Sequence, residues 1–539
     1  MLSKEEKTTQ RGILFRHLDG IVTVPTAFVL WQQGVTEYLL KNKKSTLHEL
    51  CNYFNANEGY LNVGLRVLAS QGWIKQTIDN QKNSVQFEIT AKSPIAFSYF
   101  QYYKEANNVL QSLENFSIKN IRTEALVKIE KLYANYQLFH EKLDEKKGIE
   151  KEILAQVLSH MEGIILGPIA VLLGMSGLFH KYFMETKFEA EEFHKDPKTF
   201  SRILNLLSNL GWFVKNNQAY EFTDKGLFYA RRAAAYGVTV SYIPMLAKLE
   251  QLLFKNASIM ERKSLNNEEV HVNRAMNVWG SGGAHNAYFK IVDSIIIALF
   301  NRPIHEQPKG VIDVGCGNGA FLTHIFNVIE NQTERGKILE EYPLFLIGVD
   351  YNTTAIKITK ENLIKADIWA KVIWGDIGNP EQLAKDLYEK YTINLSDLLN
   401  VRTFLDHNRM WTEPNPEVNK NTVASTGAFA FKGKRLPNIK VIHSLKQHFK
   451  KWLPYVEKYG LLLIELHTLP PTLVAKNIGK TAATAYDATH GYSDQYIVEL
   501  DTYMHIMRKI GLIPDEKTFH KFPNSELATV SINLFTTSK

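Results

Sequence analysis

The first half of this chain is written twice, and that constrains its fold more than any other feature. Asp19-Gly20-Ile21 returns as Glu162-Gly163-Ile164. Each glycine is followed at the same distance by a proline, Pro25 and Pro168, and then by a second glycine, Gly34 and Gly177. Leu68-Ala69-Ser70-Gln71-Gly72-Trp73 matches Leu207-Ser208-Asn209-Leu210-Gly211-Trp212. Phe87-Glu88-Ile89-Thr90 matches Tyr220-Glu221-Phe222-Thr223, and Phe54 and Phe193 hold equivalent places upstream. The order is kept throughout, which predicts two copies of one module, over about 10–95 and 155–230.

Each copy closes on a helix with apolar residues at helical spacing (Leu61, Leu65, Leu68; Ile203, Leu206, Leu207, Leu210). A Gly-Trp turn follows, with glycine as the C-cap, and then two short strands. This is a helix-turn-helix with a wing, an arrangement often used on DNA. The helices in the reading position argue against it. Residues 57–68 hold one arginine and no lysine, and residues 197–210 hold one of each, too few for the phosphate contacts of a groove-reading helix. The net charge of +7 comes from interspersed residues, with no basic tail. A partner made of nucleic acid is therefore not expected. Residues 163–179 are apolar, with Ser176 as the polar exception. They fall short of the roughly 20 residues that cross a bilayer, so a buried helix pair is expected there and no membrane partner. Two cysteines, Cys51 and Cys316, exclude a disulfide scaffold and a multi-cysteine zinc site. With a polar N-terminus that lacks a signal-peptide core, they lead to the expectation of a cytoplasmic location.

From about residue 256 strands alternate with helices. The run 311–319, Val-Ile-Asp-Val-Gly-Cys-Gly-Asn-Gly, is an apolar strand entering a G-x-G-x-G loop, where glycines let the backbone turn and a ligand approach closely. The acid Asp313 lies inside this strand. A second strand ends in Asp350, suited to ribose hydroxyls. A third runs into Gly375-Asp376-Ile377, where an acid can accept from an adenine amino group. A fourth, within 395–404, is followed by Asp406-His407-Asn408-Arg409, and a fifth, 461–464, by Glu465-Leu466-His467. Strand ends of this kind share one edge of an open parallel sheet, the ligand-binding edge. The set resembles a class I S-adenosylmethionine-dependent methyltransferase. The expected fold class is α/β: a Rossmann-like methyltransferase sheet behind a mostly helical N-terminal half with two duplicated winged-helix-like modules. Module 1 is placed at 1–100, a helical connector at 101–154, module 2 at 155–255 and the methyltransferase domain at 256–539, with a lid insertion at about 408–445.

A further series narrows the resemblance. It comprises Val278-Trp279-Gly280-Ser281-Gly282-Gly283-Ala284-His285, Phe404-Leu405-Asp406-His407, residues 425–433 (Ser-Thr-Gly-Ala-Phe-Ala-Phe-Lys-Gly), Glu465-Leu466-His467-Thr468 with Pro470-Pro471, and residues 485–496 with His490-Gly491-Tyr492-Ser493-Asp494-Gln495. It is similar to the C-methyltransferase domains in the loading modules of apratoxin- and saxitoxin-type polyketide synthases, over about 270–530. The resemblance implies methylation of the α-carbon of a malonyl unit on an acyl carrier protein, with a bound iron or manganese ion. No carrier domain follows residue 539, so the expectation is a carrier supplied in trans or a free small-molecule substrate. The cofactor set implied is Gly280, Asp313, Gly315, Gly317, Gly319, Asp350, Tyr351, Asp376 and Ile377. His490 and Gln495 are implied as metal ligands, with Asp406 completing the site. A malonyl carbon must pass through an enolate, and a divalent metal stabilises it as a Lewis acid; oxygen donors with a histidine suit Mn or Fe. His407 and His467 are the candidate bases. Because caffeate-type O-methyltransferases place a base after the fourth strand, His407 equally serves a metal-free O- or N-methyltransferase. Lys432, Lys434 and Arg435 in the insertion are candidates for a substrate carboxylate or a phosphate, or for a solvated face.

Overall fold

The computed structural model describes residues 2–113, 123–184, 187–261, 269–416 and 423–537. They form two compact units that are not contiguous in sequence. The first comprises residues 1–284 with 430–435 and 470–494, and the second comprises 285–429, 436–469 and 495–539.

The first unit is built on two long helices, Lys4–Gln32 and Gly148–Met175. Both are long and apolar enough to cross a membrane, yet 83% of each apolar window is buried inside the structure, as in the central helices of a bundle. They cross where side chains are absent. A Cβ on Gly20 would lie 2.4 Å from His160 Cα, and one on Gly163 would lie 2.3 Å from the His17 carbonyl oxygen. The contact is reciprocal: His17 and His160 stand at the same offset from their glycines in the two copies. Each histidine also finds a tyrosine in the chain that follows the opposite copy, His17 Nδ1 with Tyr236 at 2.8 Å and His160 Nδ1 with Tyr103 at 2.8 Å. The duplicated modules are thus related by an approximate twofold at this crossing.

Each copy ends in the wing that its sequence announces. The helix Glu58–Ser70 leads through Gly72 (φ 77°) into the hairpin Ile74–Asp79 and Ser84–Ile89. The helix Pro197–Asn209 leads through Gly211 (φ 80°) into Phe213–Asn216 and Ala219–Phe222. Trp73 and Trp212 are fully buried, and Thr90 and Thr223 each donate to the carbonyl of the Gly before that tryptophan. In the first copy the helix is core. Every residue from Gly59 to Ser70 is buried, and Arg66 pairs with Asp487 at 2.8 Å. In the second, Arg202 is held by Glu130 at 2.6 Å. The late segment 470–494 supplies the helix Ala483–Tyr492, whose Thr484 bonds Ser70 at 3.0 Å and whose Tyr492 bonds Thr26 at 3.1 Å. Two of the three basic residues of the expected lid are engaged here too: Lys432 pairs with Glu261 at 2.5 Å, and Arg435 donates to the Asn83 carbonyl at 3.0 Å. Residues 417–422 of that insertion lie outside the described residues.

The second unit holds a sheet of eight strands: β1 Gly310–Val314, β2 Phe345–Asp350, β3 Lys371–Trp374, β4 Leu398–Thr403, β5 Leu461–Leu466, β6 Leu512–Pro514, β7 His520–Phe522 and β8 Val530–Thr537. The order is β3-β2-β1-β4-β5-β8-β6, with β7 also on β8. The first five strands are parallel and β8 runs antiparallel to β5. β1 is buried along its whole length, as a strand covered on both faces must be. Ile312, Val314, Ile347 and Val349 pack with Leu383, Leu387 and Trp452. The strand order reverses between β1 and β4, which puts the ligand-binding crevice at their C-terminal ends.

Adding a methyl group at either glycine of the helix crossing drives a Cβ into backbone, which cannot yield as a side-chain tip can. Overpacking of this kind costs about 1–3 kcal/mol or more. Gly20→Ala and Gly163→Ala are each expected to lower the unfolding midpoint, by similar amounts because the crossing is reciprocal. Denaturant unfolding at unchanged midpoint in either variant would contradict the arrangement.

Candidate active site

The loop after β1 is shaped by three left-handed glycines, Gly315 (φ 82°), Gly317 (φ 57°) and Gly319 (φ 79°). Gly315 packs against Leu405, where a Cβ would meet the leucine at 2.8 Å. Gly319 caps the helix Ala320–Gln332. Around Gly317 a Cβ would meet only the Gly315 oxygen, at 4.0 Å, so the backbone there stands open to a ligand. Asp350 at the end of β2 locks the loop: its Oδ2 accepts from the Gly317 amide at 3.0 Å, and its Oδ1 accepts from Asn352 at 2.8 Å. Tyr351, half exposed, stacks 5.4 Å from the Trp374 ring at the end of β3, and its carbonyl accepts the indole N–H at 3.1 Å. Asp376 accepts from the Gly378 amide at 2.7 Å, and Ile377 beside it is buried, its carbonyl holding the Trp452 indole at 2.9 Å.

Asp313 is the unusual member. It is fully buried in β1, and neither carboxylate oxygen has a hydrogen-bond partner among the described residues. Burial, with the Asp350 charge added, pushes its pKa up to about 8. An acid in that state is incomplete on its own. It fits a cofactor that brings an ammonium group, as S-adenosylmethionine does, because a cation favours the ionised carboxylate. Gly280 belongs to the first unit. There its missing side chain allows contact with Gly237, whose Cα would be 2.6 Å from an added Cβ. Helix packing accounts for that glycine, so its place in the cofactor set rests on the resemblance alone.

After β4 the chain turns sharply. Phe404 adopts φ 53°, and Asp406–Asn408 forms a short 3-10 turn. A non-glycine residue held in the left-handed region costs free energy and is kept by its surroundings. The turn carries His407, whose Nδ1 lies 2.6 Å from Glu465 Oε1 on β5. The same carboxylate accepts from the Asp406 amide through Oε2 at 2.9 Å and from the Leu466 amide at 2.7 Å. Sequence reasoning gave Glu465 no role. The available signal was an acid closing the apolar run Leu461–Ile464, which becomes a fully buried strand.

Asp406 turns inward. Its Oδ1 takes the Arg402 guanidinium at 2.7 Å and His448 Nε2 at 2.8 Å, all of them buried. Burial by itself raises the carboxyl, but Arg402 and His448 overcome it and hold the pKa below its ordinary value. His448 is pushed down to about 4 by burial, so it donates as a neutral ring. Arg402 stacks 3.9 Å from the Trp452 ring, and Arg409 donates to the Asp406 carbonyl at 3.0 Å. Asp406 was expected to complete a metal site: its Oδ1 is committed to Arg402 and His448, while its buried Oδ2 has no hydrogen-bond partner among the described residues. His467 is corrected as a base. It is fully buried, hydrogen-bonded to Ser531 at 2.7 Å, and pushed down to about 3 by burial. It is a core group of the β5–β8 pair.

His490 sits in the last turn of its helix with Nδ1 at 2.7 Å from the Tyr486 carbonyl. That bond fixes the proton on Nδ1 and the lone pair on Nε2, the tautomer of a metal-binding histidine. Gln495 is buried in the second unit. Among the described residues no group of three or more His, Cys, Asp or Glu is arranged to hold a metal ion.

Comparison with known families decides the class. The AprA MT2-like domain family matches residues 269–533, the AprA winged helix domain residues 162–256 and the AprA N-terminal domain residues 10–76. The chain carries the methyltransferase, winged helix and N-terminal domains of the AprA type. It is an S-adenosylmethionine-dependent enzyme. Among solved structures, the methyltransferase is similar to an O-methyltransferase family protein from Burkholderia thailandensis (10% identity, 69% of this chain and 95% of that one, TM-score 0.38). It is similar to the CurJ carbon methyltransferase (12%, 80% and 99%, TM-score 0.33) and to CalO1, a methyltransferase in calicheamicin biosynthesis with S-adenosylhomocysteine bound (13%, 73% and 100%, TM-score 0.40). At this level these likenesses say nothing of substrate. No curated protein matches the chain.

Asp313 gives a prediction with a definite sign. Its folded pKa is raised, so its stabilising contribution is present at low pH and is lost as the pH rises from about 4 through about 8. An ammonium-bearing ligand reverses this by favouring the ionised form. Affinity for S-adenosylhomocysteine should therefore rise between about pH 6 and 8, with release of at most about one proton, and Asp313→Asn should bind more weakly and lose the dependence. Calorimetry in buffers of different ionisation enthalpy reads both. An unchanged pH dependence in the variant would contradict the role.

Proposed function

We propose that this methyltransferase methylates the α-carbon of a malonyl-type thioester presented by an acyl carrier protein, with His407 as the base. The observation that carries the base assignment is the 2.6 Å bond between His407 Nδ1 and Glu465. With Nδ1–H donated to the carboxylate, Nε2 is the basic nitrogen, and Glu465 stabilises the imidazolium that forms when it takes the substrate proton. The carbanion then attacks the sulfonium methyl in line, and S-adenosylhomocysteine leaves. Gly315, Gly317 and Gly319 let the backbone approach the methionine part, Asp313 meets its ammonium group, Asp350 the ribose and Asp376 the adenine, with Tyr351 and Ile377 beside it.

The metal donors of this reading are those the resemblance implies, His490, Gln495 and Asp406. The His490 tautomer supports it, and a histidine with oxygen donors would suit Fe or Mn. When bound, such an ion would lower the acidity barrier of the substrate carbon as a Lewis acid. The carrier dependence rests on the family match; a free small molecule with an ionisable O–H or N–H is the second reading, since the His407–Glu465 pair serves that proton equally.

His407→Ala should lower methyl transfer by about 100- to 10,000-fold with S-adenosylmethionine binding retained. Glu465→Gln should also lower it, because the amide cannot stabilise the imidazolium. Wild-type turnover by His407→Ala would refute the base. In parallel, chelation should reduce methylation of a malonyl-carrier substrate, and Mn or Fe should restore it in the wild type but not in His490→Ala. Activity indifferent to chelator, on phenols or amines alone, would move the assignment to the second reading.

A further inference from the structure

At the ends of β2 and β3 two large aromatic side chains reach the surface together: Tyr351, 57% exposed, and Trp374, 50% exposed. Exposed aromatic area is ordinary where such side chains stand singly. This pair is joined. The rings lie 5.4 Å apart with 47° between their planes, and the indole N–H donates to the Tyr351 carbonyl at 3.1 Å. The backbone beneath is fastened on both sides. Asp350 and Trp374 are register partners in the parallel β2–β3 ladder, and the Gly375 amide donates to the Asp350 carbonyl at 3.1 Å. A Cβ on Gly375 would lie 2.5 Å from the Val349 side chain, so β3 passes too close to β2 for a side chain there. After Tyr351, Asn352 caps the helix Thr353–Lys365, accepting from the Thr354 amide at 2.9 Å. Both rings are therefore held ready before anything binds.

The sheet fixes what lies over them. β1, β2 and β3 are neighbours, about 4.8 Å apart. The glycine loop leaves β1, Asp350 ends β2 and Trp374 ends β3. A nucleoside with its amino-acid part on the glycine loop and its ribose on Asp350 carries its base onward to β3, over the two rings. A purine stacks on an aromatic face whatever groups its edge bears, and two rings set at an angle meet it by face and by edge.

We propose that Tyr351 and Trp374 form a two-ring corner that holds the adenine of S-adenosylmethionine, which makes Trp374 a cofactor-binding residue. This corner presupposes the ribose at Asp350 and is independent of the methyl acceptor. The test is calorimetry on the full chain with S-adenosylhomocysteine and with methylthioadenosine, which lacks the amino-acid part, together with tryptophan fluorescence. Trp374→Ala should weaken both ligands by the same factor, about 5- to 100-fold, because the lost contact is with the base they share. Methylthioadenosine should change the fluorescence of the wild type. That change should vanish in Trp374→Phe and persist in Trp369→Phe, which removes the most exposed indole (90%). A merely structural Trp374 would leave the change in place. If Trp374→Ala does not fold, Trp374→Phe decides. Asp350→Ala separates the two assignments: wild-type affinity in that variant would refute the ribose placement and the corner with it. Weakened binding in Asp350→Ala with wild-type affinity in Trp374→Ala, a loss confined to S-adenosylhomocysteine, or a fluorescence change that survives in Trp374→Phe would overturn the corner alone.

Discussion

The Glu465 carboxylate is the joint on which the catalytic half depends. It is buried at the end of β5, and it accepts three hydrogen bonds: from His407, from the Asp406 amide and from the Leu466 amide. A buried carboxylate is costly unless its lone pairs are used. Here the partners that satisfy it are the turn and the side chain that the chemistry needs. The turn is held from its other side by the Asp406–Arg402–His448 cluster, which Trp452 covers. Electrostatics that look like a catalytic cluster in sequence therefore divide into two layers. In the proposed function His407 is the base, and Asp406 helps to fix the turn that carries it.

How much of this was legible in the sequence follows from the physics of each part. The duplication was legible because Gly-Trp turns and Gly-Pro spacings are local and have few substitutes. The parallel sheet was legible because each strand is an apolar run ending in a turn and an acid, and Asp313 and Asp350 emerge where that pattern places them. What pairing does to a residue was not legible. Asp406 and His407 are neighbours in the chain, yet one faces Arg402 and the other Glu465, a distinction made by residues 4 and 58 positions away. His467 shows the same limit: its environment is set by Ser531 on a strand far along the chain. Gly280, placed in the cofactor set by resemblance, is seen to pack closely against Gly237.

The two copies of the first half illustrate how a duplicated module diverges. The crossing is kept in both, through Gly20 over His160 and Gly163 over His17, since backbone contact leaves no room for change. The winged-helix shape persists in both copies, while the first copy's helix has become core, with Arg66 spent on Asp487. Shape alone therefore does not carry the DNA-reading role of that motif.

The most direct measurement of the central claim is exchange of the substrate α-proton with solvent deuterium in the absence of methyl transfer. A malonyl-carrier substrate is held with S-adenosylhomocysteine in D2O and followed by mass spectrometry. The account predicts enzyme-dependent exchange in the wild type that is lost in His407→Ala. Exchange at equal rate in His407→Ala, with methyl transfer still lost, would contradict the assignment of His407 as the base.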